Sequence, residues 1–315
     1  MDIIRGMHNL RARHRGCVAT IGNFDGVHRG HRMILDALGA RARALGLPST
    51  LITFEPQPRE FFQGREVPAR LTRLREKLQL LQETGLDRVL LLPFNERLAS
   101  MSADTMVREV FVEGLGLRHL IVGDDFRFGR GREGDHAMLV AAGQEHGFGV
   151  EDLGTLLEGG ERVSSSLIRE ALANGDLARA ERLLGHPYFI MGRVVYGRQL
   201  GRQLGVPTVN VPLQRYRAAL EGVFAVEVSG LGAPLRGVAN IGVRPTVDGR
   251  EPLLEVHLFD FHEDCYGALL TTVFREKIRD EWKFESLDAL KAQLALDIER
   301  ARAILARGVA GGAPA

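Results

Sequence analysis

The chain has 315 residues, of which 45% are hydrophobic and 26% are charged, and its formal net charge is +1. This length and composition fit two globular domains of ordinary size. A charge so close to zero excludes a broad basic surface, so we expect no nucleic-acid partner and only local phosphate binding. Cys17 and Cys265 form neither a disulfide framework nor a zinc motif.

The N-terminal segment is polar and rich in arginine, without the apolar stretch of a signal peptide. No apolar run approaches the ~20 residues that a membrane-spanning helix requires. We therefore expect a cytoplasmic protein without a membrane partner. The sequence leaves the oligomeric state open, a homo-oligomer included.

The first half alternates short apolar runs with amphipathic segments. Strands are predicted at 17–21, 50–54, 88–93, 119–122 and 149–153. Helices are predicted at 31–45, 70–84, 103–114 and 135–146, followed by two short helices within 164–184. Strands separated by helices predict a doubly wound parallel α/β sheet. Ligands of such sheets bind at the carboxyl ends of the strands.

The pattern changes at Gly185-His186-Pro187. Short β-rich runs at turn-like spacing then predict an antiparallel β-barrel, with strands at 189–195, 223–228, 236–241, 253–258 and 269–274. A long amphipathic helix is predicted at 286–305. We therefore predict one domain at residues 1–184, a second at 185–308 and a disordered tail at 309–315.

The densest polar segment is GNFDGVHRGH, residues 22–31, which follows a predicted strand and opens a predicted helix. His28 and His31 are three positions apart and lie on one face, where helical N–H groups already favour anions. Two imidazoles there can donate hydrogen bonds to a phosphate whose charge grows in a transition state. Two surface histidines are the simpler interpretation of the pair alone, and a metal site would need a third ligand.

The whole string resembles the HxGH nucleotidylyltransferases, and specifically the adenylyltransferase half of bacterial FAD synthetases. Four further strings support this resemblance in the same order: TFEPQP at 53–58, LT with EK at 71–77, VGDDFRFG at 122–129 and VSSSLIR at 163–169. Gln57 stands where the family often has histidine, and Ser166 stands where threonine is usual.

The resemblance implies that His28 and His31 contact the ATP phosphates and stabilise the transition state at the α-phosphorus. It also implies a set of phosphate-binding residues, Asn23, Asp25, Gly30, Ser164, Ser165 and Arg169. Asp125 is implied to help hold the flavin or the nucleotide. The attacking FMN phosphate is already an anion, so this half needs positioning groups rather than a strong general base.

A second dense segment, residues 192–210, is rich in glycine but lacks the order and the lysine of a P-loop. Spacing alone favours an ordinary barrel hairpin. The functional alternative is a flexible cover over phosphates that includes Gly197 and Gly205. Thr208 and Asn210 then share one face of a strand as oxygen ligands to Mg²⁺.

Strings at 222–226, 237–246, 255–258 and 274–279 resemble the riboflavin kinase domain. Together with the first half, they identify the chain as a member of the bifunctional riboflavin kinase/FAD synthetase family. The resemblance implies that Glu255 is the general base for the riboflavin 5′-hydroxyl, which is neutral and needs a proton acceptor. It further implies that Thr208 and Asn210 are the ligands of ATP–Mg²⁺ and that Arg279 lines the flavin side.

The implied function is a two-step enzyme that phosphorylates riboflavin to FMN and then adenylylates FMN to FAD, releasing pyrophosphate. ATP, riboflavin and FMN are its expected small-molecule partners, and Mg²⁺ is its expected metal. A single-activity adenylyltransferase, a flavin-responsive regulatory protein and a tRNA synthetase are the alternatives. The intact residues of both sites argue against a single-activity enzyme and against a regulatory protein. The near-neutral charge and the presence of only four lysines argue against a tRNA synthetase.

Overall fold

The computed structural model describes residues 1–197, 201, 205–246 and 249–307, with the side chains of residues 243–251 left outside that description. The predicted tail at 309–315 and residues 198–200 and 202–204 of the glycine-rich segment lie outside the described residues. The chain forms two compact units. The first unit comprises Met1–Val67 and Lys77–Ser164, and the second comprises Pro68–Glu76 and the chain from Ser165 onward.

The first unit contains a six-stranded sheet in which every pair of neighbouring strands is parallel. Its strands are β1 (Asp2–Arg5), β2 (Val18–Ile21), β3 (Ser49–Glu55), β4 (Arg88–Pro93), β5 (His119–Gly123) and β6 (Gly149–Leu153), in the order β1-β4-β3-β2-β5-β6. The five predicted strands and the doubly wound parallel fold are confirmed. The edge strand β1 was missed because it is short and buries only Ile4.

Helices connect these strands. They are α1 (Arg29–Leu45), α2 (Pro58–Gln63), α3 (Leu74–Gln82), α4 (Glu96–Ala99), α5 (Ala103–Met106) and α6 (His136–His146), and an eight-residue π-helix, Val107–Gly114, continues α5. A two-stranded hairpin, β7 (Leu157–Glu158) and β8 (Glu161–Arg162), precedes the end of this unit. Buried apolar side chains fill the core around the sheet, among them Phe111 and Leu120.

The strand order reverses beside β2, because β3 pairs with one edge of β2 and β5 pairs with the other. In a parallel sheet, a crevice forms at such a switch point outside the carboxyl ends of the strands. The segments that follow β2 and β5 lie on its two sides. The fold therefore brings residues 22–28 and 124–126 to one edge of the sheet.

The second unit begins with α7 (Ser165–Ala173) and α8 (Leu177–Leu184) and continues as an antiparallel sheet. The strands are β9 (Phe189–Arg193), β10 (Val209–Pro212), β11 (Gly222–Ser229), β12 (Leu235–Thr246), β13 (Gly249–Leu258) and β14 (Leu269–Arg279), in the order β10-β13-β12-β11-β14-β9. A bridge between Val195 and Asn210 nearly closes it into the predicted barrel. The predicted terminal helix is α9 (Leu287–Arg307), which packs on the outer face of the barrel through Ala301, Ile304 and Leu305.

A buried ion pair ties the segment at 68–76 into the second unit. Arg215 donates to both carboxylate oxygens of Glu76, at 2.7 and 2.5 Å, and Glu76 is fully buried. Glu76 also accepts hydrogen bonds from the backbone N–H groups of Arg73 and Met191. Both charged groups are buried away from water, so removal of either residue would leave the other as an uncompensated buried charge.

Replacing Arg215 with methionine should destabilise the second unit by about 3–5 kcal/mol, because Glu76 would be left as an unpaired buried charge. Trp282 is the only tryptophan and belongs to this unit, so urea unfolding followed by its fluorescence measures the effect directly. Arg275→Met removes a half-exposed pair with Glu227 and should change the midpoint little. Equal stability of the Arg215 variant and the wild type would contradict this account.

No helix in the described part of the chain is long and apolar enough to cross a membrane.

Candidate active sites

The loop between β2 and α1 is held in a strained conformation. Phe24 and Val27 have φ values of +48° and +41°, in the left-handed region that non-glycine residues rarely enter. Such residues cost on the order of 1–3 kcal/mol each and persist where the surroundings fix them, often at functional sites. The loop ends at His28, which is the N-cap of α1.

The two histidines of this loop lie against each other. The rings of His28 and His31 stack with centroids 3.6 Å apart, and Phe24 stacks on His31 at 4.5 Å. The backbone N–H of His31 donates to Nδ1 of His28 at 3.3 Å. A neutral His28 therefore carries its proton on Nε2, where it can serve as a donor. A side chain on Gly30 would press against the His28 ring, because a Cβ there would lie 3.3 Å from it.

The environment favours a neutral His31. Burial, then the nearby His28, then Lys77, lower the pKa of His31 well below its usual value. Its Nδ1 atom is buried and has no hydrogen-bond partner among the described residues. Within the described residues, no group of three His, Cys, Asp or Glu side chains could hold a metal ion. The pair lies at the N-terminus of α1, where ring nitrogens can form hydrogen bonds.

Asn23 lies at the start of the same loop. Its backbone carbonyl accepts hydrogen bonds from Lys77 Nζ at 2.5 Å and from Thr53 Oγ1 at 3.4 Å. Its side-chain Oδ1 is buried without a partner in the described part of the chain. Asp25, two residues later, is buried. The loop that carries the stacked histidines thus also contains a buried amide oxygen without a partner among the described residues.

Asp125 follows β5 on the other side of the switch point. It is exposed, and its carboxylate accepts a hydrogen bond from Arg162 at 2.8 Å. Since β2 and β5 are paired, Asn23 and Asp125 lie at the same edge of the sheet. The predicted contribution of Asp125 to flavin or nucleotide binding stays a prediction.

The loops after β3 and β4 carry features that the sequence analysis did not assign. Gln57 is buried, and its Nε2 atom has no partner among the residues described. Beyond it, Phe61, Phe62 and Phe94 form a group of edge-on rings with centroids 5.2–5.7 Å apart. Phe62 is 67% exposed, which is unusual for so large an apolar side chain. A pair of phenylalanines in sequence resembles ordinary core, so only the structure shows this exposed aromatic group.

The serine and arginine string lies at the end of the first unit and the start of the second. Ser164 is the last residue of the first unit, Ser165 begins α7, and Arg169 lies one turn later on the same face as Ser165. Arg169 Nε donates to the carbonyl of Ala69 at 2.5 Å. The predicted phosphate-binding roles of these three residues are not tested by these contacts.

The barrel brings the predicted residues of the second site into one row. Glu255 on β13 is the direct cross-strand partner of Asn210 on β10 and of Asn240 on β12. Direct partners share a face of the sheet, so the carboxylate lies between two amides. The Oδ1 atoms of both asparagines are buried and lack partners within the described residues. Asn240 was not predicted as a site residue, since an asparagine in a strand string carries no signal without the register.

The glycine-rich segment contacts this row where it is described. A side chain on Gly197 would collide with the amide of Asn210, because a Cβ would lie 2.4 Å from its Nδ2 atom. Gly205 adopts a φ of +77°, which favours glycine. His257 Nδ1 lies 2.8 Å from the carbonyl of Pro207, directly before Thr208. Asn210 therefore lies against Gly197, and Thr208 follows the residue that contacts His257.

Arg279 lies in the same row, opposite Val223, but its donors face structural partners. Its guanidinium donates to Asp297 of α9 at 2.7 and 3.0 Å and to the carbonyl of Asp280 at 2.8 Å. It also lies over the ring of Trp282, 4.9 Å from the centroid. These contacts fix α9 and the segment after β14 beside the row, and the flavin-side role of Arg279 stays a prediction.

Comparison with known proteins identifies the families of the two halves of the chain. A family model described as FAD synthetase matches residues 10–167, and one described as riboflavin kinase matches residues 184–305. The bifunctional riboflavin kinase/FMN adenylyltransferase of Escherichia coli strain K12 is 54% identical over 96% of this chain and 97% of its own. The proteins of that description from Pseudomonas fluorescens and Haemophilus influenzae are 54% and 47% identical, over 97% and 96% of this chain and 98% and 99% of their own.

A crystal structure of a Streptococcus pneumoniae protein, described as a macrolide-efflux protein, is also similar. Its TM-score is 0.82 with 28% identity, over 96% of this chain and 99% of that chain.

The relatives and the two family models confirm the predicted pair of activities, riboflavin phosphorylation and FMN adenylylation. They set aside the single-activity, regulatory and tRNA-synthetase alternatives. The chain belongs to the bifunctional riboflavin kinase/FMN adenylyltransferase family.

Proposed function

We propose that riboflavin is phosphorylated at the row formed by Asn210, Glu255 and Asn240. The observation that carries this proposal is the register, which sets one carboxylate between two amides with unsatisfied oxygens. Glu255 takes the proton of the riboflavin 5′-hydroxyl as that oxygen attacks the γ-phosphorus of ATP. The new bond gives FMN, and ADP leaves.

The residues around Asn210 suit Mg²⁺. This ion prefers oxygen ligands and keeps several waters, so a buried amide oxygen without a partner and a neighbouring threonine hydroxyl fit its donor set. Thr208 and Asn210 are the residues that would hold it. When bound, it would neutralise negative charge on the ATP phosphates.

FMN is adenylylated at the loop between β2 and α1. An oxygen of the FMN phosphate attacks the α-phosphorus of ATP, the bond to the β-phosphate bridging oxygen breaks, and pyrophosphate leaves. The Nε2–H of His28 and the neutral imidazole of His31 stabilise the charge that develops at the α-phosphate. Asn23, Asp25, Gly30, Ser164, Ser165, Arg169 and Asp125 position the phosphates and the flavin.

The exposed aromatic group of Phe61, Phe62 and Phe94 follows β3 and β4, at the same edge of the sheet as this loop, and can bind the flat isoalloxazine ring of FMN. Phe62→Ala should raise the KM for FMN in adenylylation by about tenfold, because an aromatic contact of roughly 1 kcal/mol and its buried area are lost. Phe62→Tyr keeps the ring and should behave like the wild type. Steady-state kinetics with varied FMN check this, and an unchanged KM in the alanine variant would place the flavin elsewhere.

We further propose that residues 1–184 carry the adenylyltransferase and residues 185–308 carry the kinase, in agreement with the limits of the two family matches. Cys17 and Cys265 are both free thiols, which suits a reducing compartment such as the cytoplasm. The near-zero net charge supports small-molecule partners rather than nucleic acid. Self-association of the chain into a homo-oligomer is compatible with all of these features.

A time course of the purified protein with riboflavin, ATP and Mg²⁺, resolved by chromatography, tests the order of the two reactions. FMN should appear first and FAD later, and omission of Mg²⁺ should stop both. If FAD formed only from supplied FMN, the assignment of Glu255 and its row to a kinase would be wrong.

A further inference from the structure

Lys77 is a buried cation that the two reactions described above leave unassigned. It lies on α3, its side chain is fully buried, and its Nζ atom is 2.5 Å from the carbonyl oxygen of Asn23. Burial of an ammonium group is unfavourable unless polar groups surround it. A lysine held in this way at the base of a strained loop therefore has a purpose beyond packing.

The contact fixes the start of the loop that carries the histidines. Asn23 immediately precedes Phe24, the first of the two left-handed non-glycine residues, and Phe24 stacks on His31. Lys77 and Thr53 both donate to the Asn23 carbonyl, so this peptide group has little freedom. If the Asn23 carbonyl moved, Phe24 would move with it, and the stacking of Phe24 on His31 would change the position of the imidazole rings.

The charge of Lys77 also acts on the histidines. Burial, His28 and Lys77 are the causes of the lowered pKa of His31, in that order. While protonated, an ammonium group close enough to act on the imidazoles supplies positive potential where a phosphate gains charge.

We propose that Lys77 is a positioning residue for adenylyl transfer, which holds the Asn23 carbonyl and places an ammonium group at the base of the loop that carries the histidine pair. This inference rests on the proposed role of His28 and His31. Lys77 acts through those residues and through the loop, and no bond to it forms or breaks.

The test compares Lys77→Met with Lys77→Gln in the full-length chain. The methionine variant should lower kcat for adenylylation of FMN by about 10–100-fold, with a smaller change in KM. Riboflavin phosphorylation, measured in the same preparation, should stay at the wild-type rate. The glutamine variant keeps a donor for the Asn23 carbonyl and should recover part of kcat.

The pH profile separates a positioning role from a purely structural one. Lys77 contributes to the lowered pKa of His31, so its removal should move the acidic limb of the pH–rate profile for adenylylation to higher pH. Both variants should show this shift, whereas Thr53→Val, which removes an uncharged donor, should not. Lys291→Met removes an exposed lysine of α9 and serves as the matched control.

A wild-type kcat in Lys77→Met would overturn the inference, and so would a lower kcat with an unmoved acidic limb in both variants. His31→Asn is measured in parallel. If His31→Asn kept full adenylylation activity, the site itself would be misassigned. If His31→Asn lost activity while Lys77→Met did not, only the inference about Lys77 would fail.

Discussion

Replacing Glu255 with glutamine should lower the rate of riboflavin phosphorylation by about 10²–10⁴-fold. Glutamine keeps the size and polarity of the side chain but cannot accept the proton of the 5′-hydroxyl. The position between Asn210 and Asn240 should be preserved, so KM for riboflavin should change less than kcat. Conversion of riboflavin to FMN, followed by chromatography, measures the loss.

Two comparisons make this result specific. Adenylylation of supplied FMN by the same variant should proceed at the wild-type rate, because Glu255 belongs to the second unit alone. Glu276→Gln changes an exposed carboxylate on another strand of the barrel and should leave both activities unchanged. An equal loss of both activities in the Glu255 variant would mean that the substitution disturbs the fold rather than proton transfer.

Replacing His31 with asparagine should lower FMN adenylylation by about 10²–10³-fold, the usual effect of removing one donor to a developing oxyanion. Asparagine keeps a polar group at the helix start but removes the ring that stacks between Phe24 and His28. The loss should appear mainly in kcat, because charge at the α-phosphate is greatest in the transition state. Release of pyrophosphate from ATP and FMN measures it.

His8→Asn is the matched control, since His8 is exposed and lies in a short turn near the N-terminus. It should retain both activities. Riboflavin phosphorylation by the His31 variant should also be unchanged. A higher KM for ATP with an unaltered kcat would show that His31 binds the ground state and transition state equally, contrary to the proposed role.

The features of the first site that were predictable are those encoded in contiguous sequence. The string from Gly22 to His31 follows an apolar run and precedes an amphipathic one, and this order alone sets it between a strand and a helix. The strand order was beyond a single sequence, because it depends on which apolar edges meet. The position of Asn23 and Asp125 at one edge of the sheet therefore became visible only through the pairing of β2 with β5.

At the second site, too, the strand was predictable from contiguous sequence, whereas its cross-strand neighbours were not. The short β-rich run at 253–258 predicted a strand, and the burial of Leu254, Val256 and Leu258 shows that it has one apolar face, opposite the face that carries Glu255. The position of Asn240 opposite Glu255 depends on register, which no local pattern fixes here. Strand β10 was not among the predicted barrel strands, because it is only four residues long and follows Pro207 and a glycine-rich stretch, although the functional alternative for Thr208 and Asn210 assumed a strand there.

Buried polar groups were the hardest to foresee. Glu76, Lys77 and Arg215 are common surface residue types, and in sequence they resemble the solvated positions of amphipathic segments. Only the packing shows that Glu76 and Arg215 neutralise each other and that Lys77 meets a backbone carbonyl. The partners of these charged side chains lie far away in sequence, so a local pattern cannot identify them.

Complementation between two single-site variants tests the central claim, that one chain carries two separate catalytic sites. Glu255→Gln and His31→Asn are each incubated with riboflavin, ATP and Mg²⁺, and then the two are mixed. Alone, the first should accumulate neither FMN nor FAD, and the second should accumulate FMN without FAD. In the mixture, the His31 variant should supply FMN and the Glu255 variant should convert this FMN to FAD. Absence of FAD from the mixture, with supplied FMN still adenylylated by the Glu255 variant, would contradict two independently acting sites.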